Sequence, residues 1–179
     1  MNKTKCTILI GVSGSGKSTV INNKFKDEYV CSTDKYVENF AKERELNYSD
    51  AFDKIQEDNL FKDFTRLFYI DIETCIKNDV NFVIDRTNLT IGSRKALINT
   101  LNEFAEKYDK EIKINGLFFD IPKNVVKERL ENRFKETGKS IPEDVIDNQF
   151  KVFEKPTSEE FEHLSKVDEE ASKEGKRRR

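Results

Sequence analysis

The 179-residue chain is long enough for one domain with a proper core and too short for two large ones. Its 36% hydrophobic and 37% charged residues describe a very soluble globular protein, and a formal net charge of −2 excludes global attraction to nucleic acid, leaving a local basic patch as the only route to such binding. No apolar run approaches the ~20 residues of a membrane span, no signal peptide is expected ahead of the first strand, and Cys6, Cys31 and Cys75, isolated and odd in number, fit a reduced cytoplasmic protein that buries them as small apolar residues.

Cys6-Thr7-Ile8-Leu9-Ile10 is a short, β-branched apolar run that predicts a buried strand. It leads into Gly11-Val12-Ser13-Gly14-Ser15-Gly16-Lys17-Ser18-Thr19, which fits the pattern Gly, four residues, Gly-Lys-Ser. The glycines let the backbone curl until several N–H groups aim at one point, and the helix expected after them adds its positive end. Such a cradle suits phosphate oxygens. Lys17 is placed to reach the β- and γ-phosphates of ATP or another nucleoside triphosphate, and Ser18 to offer its hydroxyl to Mg²⁺. A plain Gly/Ser turn would need neither the three glycines nor the Lys-Ser pair.

Tyr29 to Thr33 predicts a second strand closing on Asp34, and Asp34 to about Glu45 a helix with Tyr36, Val37, Phe40 and Ala41 inward. Asn47-Tyr48-Ser49-Asp50 supplies a cap, after which one long helix is expected from about Ala51 to Lys77, with Phe52, Ile55, Phe61, Phe64, Phe68, Ile72, Cys75 and Ile76 as core. Val80 to Asp85 reads as a strand ending in a carboxylate. Asn88-Leu89-Thr90 then turns the chain into a helix from Gly92 to Tyr108, through Ala96, Leu97, Leu101 and Phe104. Ile112 to Ile121 predicts a fourth strand, and Pro122 opens a helix with Val125, Val126, Leu130 and Phe134 on its inner side. Lys135 to Ser140 is expected to be a mobile loop around Gly138. Pro142-Glu143-Asp144 opens a last helix through Val145, Ile146, Phe150 and Phe153, and a final short strand is expected near Val167.

Strands alternating with helices imply an α/β fold, a central parallel sheet with helices on both faces. Ligands in such sheets gather beyond the carboxyl ends of the strands. The Gly-rich loop, Asp34 and Asp85 all follow strands, so they should converge at one edge. There Asp34 could take the proton of an acceptor hydroxyl, or simply cap its helix. Asp85 could hold a Mg²⁺-bound water or anchor the acceptor side, or else shape a turn with Thr87 and Asn88. Arg129 and Arg133, four apart, share a helix face. Charge pattern alone divides evenly between a lid over the triphosphate and a solvated face. Gly175 to Arg179 ends the chain in a basic run that reads as part of a charged, disordered tail over 169–179.

With these residues laid out, the chain resembles the kinase domain of polynucleotide 5′-hydroxyl kinases, within the zeta-toxin-like and chloramphenicol-phosphotransferase-like group of P-loop phosphotransferases. Ser32-Thr33-Asp34-Lys35-Tyr36 resembles the segment bearing that family's general base, and Asp85-Arg86-Thr87-Asn88 its Asp-x-Thr-Asn signature. Glu131 to Phe134, Ile141 to Val145 and Phe153 to Thr157 resemble its arginine-bearing lid and the helix and Pro-Thr turn after it. The resemblance implies a P-loop kinase domain over 1–168 with a helical lid at about 127–141. It implies Asp34 as base, Lys17, Asp85, Arg129 and Arg133 as further catalytic residues, and Lys35, Arg86, Thr87 and Asn88 on the acceptor side. Gly11, Ser13, Gly14, Ser15, Gly16, Ser18 and Thr19 would hold ATP with Mg²⁺. The implied acceptor is a DNA or RNA 5′-hydroxyl end. Phage-type enzymes carry an Arg where this chain has Val37, and Lys35 is the nearest substitute. No Asp-x-Asp phosphatase motif accompanies the kinase residues, so a separate ligase or 3′-phosphatase is the expected partner. The competing expectations are a P-loop kinase for another hydroxyl (a nucleoside, a small metabolite or a hydroxymethylated base in DNA) and a nucleotide-binding module without transfer.

Overall fold

The computed structural model describes residues 3–172. Its five strands are β1 (Thr4–Ile10), β2 (Tyr29–Cys31), β3 (Phe82–Ile84), β4 (Ile112–Phe119) and β5 (His163–Val167). They form one sheet in the order β2-β3-β1-β4-β5, every pair parallel. β1 lies between β3 and β4, with Cys6 opposite Phe82 on one side and Ile114 on the other. The chain leaves β1 toward one edge, returns through β3 and then crosses to β4. The end of β1 is therefore where the winding reverses, which is where ligand crevices open in such sheets.

Strand alternation divides the core in two. Cys6, Ile8 and Ile10 face helices α4 (Phe61–Lys77) and α5 (Ile91–Lys107), through Phe68, Ile72, Ile76, Leu97 and Leu101. Leu9, Val83 and Leu117 face α1 (Lys17–Lys24), α6 (Lys123–Thr137) and α7 (Glu143–Val152), through Val20, Ile21, Val126 and Ile146. Helices thus cover both faces, as near-continuous apolar strands demand. Helices α2 (Asp34–Glu43) and α3 (Tyr48–Glu57) pair around a smaller core of Val37, Phe40, Ala41, Ala51 and Ile55. All three cysteines are buried and free. No helix among the described residues is long and apolar enough to cross a membrane.

Several expectations need correction. The long helix expected from Ala51 to Lys77 is two, α3 and α4, because the chain turns left-handed at Asn59, φ 56°. Leu60 N–H donates to Ile55 C=O and Asn59 N–H to Gln56 C=O, the paired bonds that close a helix end. In α5 the inward position expected of Ala96 is exposed, and Arg94 is fully buried instead. Phe134, expected inside, is 52% exposed. Its helix α6 also runs to Thr137, past Lys135 where a loop was expected, and ends at Gly138 with φ 73°. Finally, residues 169–172 of the expected tail are helical, and Ser172 is buried. Residues 173–179, including the basic run, lie outside the described residues.

Candidate active site

A cavity of about 500 Å³ opens beyond the carboxyl ends of the strands. One wall is the loop from Gly11 to Gly16 with the first turn of α1. Gly14 and Gly16 hold φ of 82° and 97°, the left-handed values that a side chain resists. A Cβ on Gly14 would also come within 2.7 Å of Leu130 Cγ. Ser13, Gly14, Gly16, Lys17, Ser18 and Thr19 all line the cavity. Gly11 and Ser15 do not. Gly11 packs against Phe119 and donates its N–H to Thr87 C=O at 3.0 Å, tying the loop to the segment after β3. Ser15 is buried below, its hydroxyl without a partner among the described residues.

Lys17 turns back on the loop and donates to the Gly11 and Val12 carbonyls at 2.9 and 3.0 Å. Burial lowers its pKa to about 8, against the opposite pull of Asp85. Burial likewise pushes the Asp85 carboxyl up, with Lys17 drawing it back down. A half-buried ammonium and a half-buried carboxylate therefore offset one another electrostatically at the head of β1 and β3. A phosphate would give Lys17 a better partner than two neutral carbonyls.

The opposite wall comes from α2, α3 and the segment after α6. Asp34 is the first residue of α2, but it does not cap it; Thr33 occupies the cap position. Its carboxylate accepts instead from the Tyr48 hydroxyl and from Lys139 Nζ, the latter at 2.9 Å. Arg86 and Thr87 also line the cavity, with the Arg86 guanidinium 5.0 Å from the Phe68 ring centre. Asn88 does not. It adopts φ 49° and donates to Leu9 C=O at 2.7 Å, holding the post-β3 turn against β1. Lys35 points elsewhere: it pairs with Asp71 at 3.1 Å and with the Tyr29 hydroxyl at 2.9 Å. Burial opposes the charge of Lys35, yet those two partners raise its pKa overall.

Arg129 and Arg133 both reach the cavity, from α6. Arg129 donates to Ser15 C=O at 3.2 Å and to Ser172 Oγ at 2.8 Å, so it clamps the Gly-rich loop to the helical turn at 169–172. The Arg133 Nε is buried with no partner among the described residues. A buried donor without an acceptor is costly unless a ligand supplies one, and the residue that carries it borders the cavity.

The sequence pattern did not reveal several participants. Gln149 of α7 accepts from Ser13 N–H at 2.9 Å and donates to Ser13 Oγ at 3.2 Å, a two-point hold on the loop. Tyr48 read only as part of a helix cap. Lys139 stood beside Gly138 in an expected loop, and that neighbourhood was its one available signal. A Mg²⁺ ion keeps several waters and takes few protein ligands beside substrate phosphates. The donor set here suits that habit. Among the described residues no His/Cys/Asp/Glu cluster could hold a metal alone, whereas the Ser18 hydroxyl and Asp85 carboxylate border the phosphate cradle.

A family model described as an AAA domain matches residues 7–156. No curated protein matches the sequence. Among solved structures, a Chloroflexus aurantiacus chain taken for a kinase is similar over 94% of this chain and 86% of its own, at 14% identity and a TM-score of 0.68. A chain of the Pnkp1/Rnl/Hen1 RNA repair complex shares 22% identity over 85% of this chain, with a TM-score of 0.64. The present chain spans 44% of that one, less than half its length. A fungal RNA kinase shares 18% identity over 99% of this chain and 84% of its own, at a TM-score of 0.58. At such identities the likeness establishes a P-loop kinase fold.

Proposed function

We propose that this chain, which belongs to the AAA-domain family, is an ATP-dependent kinase that moves the γ-phosphoryl group to the 5′-hydroxyl of a nucleic acid. One observation carries the reading. The Asp34 carboxylate faces the phosphate cradle across a single cavity, held by two donors rather than spent on a helix cap. A module that only binds nucleotide has no use for a carboxylate there.

In this reading the N–H groups of the loop and Lys17 hold the triphosphate. Mg²⁺, held through Ser18 and the phosphates, would neutralise part of their charge. Asp34 accepts the proton of the acceptor hydroxyl while that oxygen bonds to the γ-phosphorus. The bond from phosphorus to the bridging oxygen breaks, and ADP leaves. Arg133, with its unpartnered Nε, meets charge that develops on the transferring group. Arg129 acts on the same loop through Ser15. Asp85 balances Lys17 and anchors the acceptor side.

Polynucleotide as the acceptor is supported by the resemblance of the Asp34, Asp85 and lid segments to polynucleotide kinases, and by the RNA repair and RNA kinase structures among the neighbours. The local charge agrees. Lys17, Arg86, Arg129, Arg133 and Lys139 outnumber Asp34, Asp85 and Glu136 around the cavity of a chain whose net charge is −2, which gives a polyanion a locally basic site. If it heals nucleic-acid ends, a ligase or 3′-phosphatase on another chain completes the repair. A gluconokinase also shares the fold, so a small hydroxyl compound is the alternative acceptor.

The test is transfer of labelled γ-phosphate from ATP with Mg²⁺ to 5′-hydroxyl RNA and DNA oligonucleotides, with free nucleosides and gluconate in parallel. Label at the oligonucleotide 5′ end, lost in Asp34→Asn with ATP binding retained, is the expected result. Label on the small acceptors alone would discard the substrate and keep the chemistry.

A further inference from the structure

Asp34 meets two donors from elements distant in sequence. Tyr48, the first residue of α3, donates its hydroxyl to Oδ1. Lys139, in the segment between α6 and α7, donates its ammonium to Oδ2 at 2.9 Å. The same nitrogen lies 4.2 Å from the centre of the Tyr48 ring and 3.7 Å from Glu38. The Lys139 side chain is 19% exposed, less than the 40% of the carboxylate it pairs with. A lysine beside a glycine loses rotamer freedom when it docks this way, and three partners at one nitrogen offset that loss. The Tyr48 ring is no open stacking platform, since Lys139 covers it and Phe52 flanks it at 6.3 Å. Burial, and next the bond to Asp34, push the Tyr48 phenol above its usual range, so it stays protonated and donates.

We infer that Tyr48 and Lys139 are positioning residues for the Asp34 carboxylate, Tyr48 orienting it from α3 and Lys139 completing it from the lid. The inference rests on Asp34 being the base. Each carboxylate oxygen receives one donor and keeps a further lone pair for an acceptor hydroxyl. Gly138, at φ 73°, turns the chain so that the next residue reaches α2. One segment therefore carries Arg133 for the phosphates and Lys139 for the base. Seating that segment orders both sides together, so the base is fully oriented only with the lid down.

The test compares the full chain with Tyr48→Phe, Lys139→Gln, Lys139→Arg and Asp34→Asn, for phosphate transfer to a 5′-hydroxyl oligonucleotide, ATP affinity and hydrogen exchange over residues 136–142. Tyr48→Phe and Lys139→Gln should each lose about tenfold or more in kcat, with ATP affinity unchanged within about twofold. Lys139→Arg should regain part of the loss, and exchange should rise alike in Lys139→Gln and Asp34→Asn. Unchanged kcat in the first two, beside an inactive Asp34→Asn, would overturn the inference and spare the base. Transfer surviving in Asp34→Asn would remove the base and the inference with it. If the unmodified chain labels no oligonucleotide, the substrate reading alone fails and exchange decides: protection unchanged in both variants overturns the positioning role.

Discussion

Glu160→Gln should destabilise the protein by about 3 kcal/mol, although Glu160 does not line the cavity. Arg94 of α5 is fully buried, and its Nε donates to Glu160 Oε1 at 2.8 Å while Nη1 donates to Asn88 C=O at 2.9 Å. Glu160 closes the single turn Ser158–Glu160 and also accepts from Thr157 N–H at 2.8 Å. Removing one member of a buried ion pair leaves the other uncompensated, a loss of ~3–5 kcal/mol. Glutamine keeps the shape and one acceptor, so the lower end applies. For a chain of this length each kcal/mol moves Tm by about 2–4 °C, and a fall of roughly 6–12 °C is expected by circular dichroism. Burial favours the neutral Glu160 carboxyl, but the bonds from Arg94 and Thr157 outweigh it and hold its pKa below the ordinary glutamate value. Its stabilisation is therefore complete above that ordinary value and disappears as pH falls through the lower, folded one. The gap between Glu160→Gln and the unmodified chain should close over that acidic interval. Replacing both partners, as in Arg94→Met with Glu160→Leu, should be milder than Glu160→Gln alone, because no charge is then stranded. A Tm shift below about 2 °C in Glu160→Gln would refute the reasoning and place the pair with solvent-screened surface ion pairs.

Gly14→Ala should weaken ATP binding at least about tenfold in a fluorescent-nucleotide titration, since the Cβ meets Leu130 at 2.7 Å and φ is 82°; near-normal affinity would contradict the close packing of α6 on the loop. Gln149→Leu removes both contacts to Ser13 and should weaken ATP binding, read by calorimetry, with a stability loss of about 1–2 kcal/mol. Unchanged affinity would mean that α7 does not brace the loop. Asn59→Gly should be neutral or slightly stabilising in urea titration and Asn59→Ala should lose about 1 kcal/mol, because φ is 56° there. Equal stabilities would imply that the α3–α4 junction relaxes.

Much of this protein was legible in its residues. Ile8 and Val83 mark strands in any context, because a β-branched apolar run has few other uses, and all five strands fall at or close to the expected positions. The Gly-rich loop was equally plain, since its chemistry is local: three glycines, a lysine and a hydroxyl adjacent in the chain. That Asp34 and Asp85 meet at one cavity was legible because both follow strands of a parallel sheet, whose ends share one edge. Local propensity misled where a single residue breaks a pattern. Asn59 ends a helix inside an unbroken apolar stripe, and periodicity has no signature for one left-handed residue.

Other features were decided by tertiary structure alone. Arg94 reads as an exposed helix residue until Glu160, 66 positions later, supplies the charge that lets it be buried. Lys35 sits beside Asp34 in sequence, yet Asp71 and Tyr29 draw it out of the cavity. Lys139, 105 positions from Asp34, is drawn in. The sequence by itself determined the strands, the phosphate cradle and the two strand-end carboxylates, because each is specified by neighbours along the chain. Which cation meets which anion was left to the fold, because in a low-dielectric interior a charge is tolerated only against its complement, and that complement comes from whichever segment packing brings within about 4 Å.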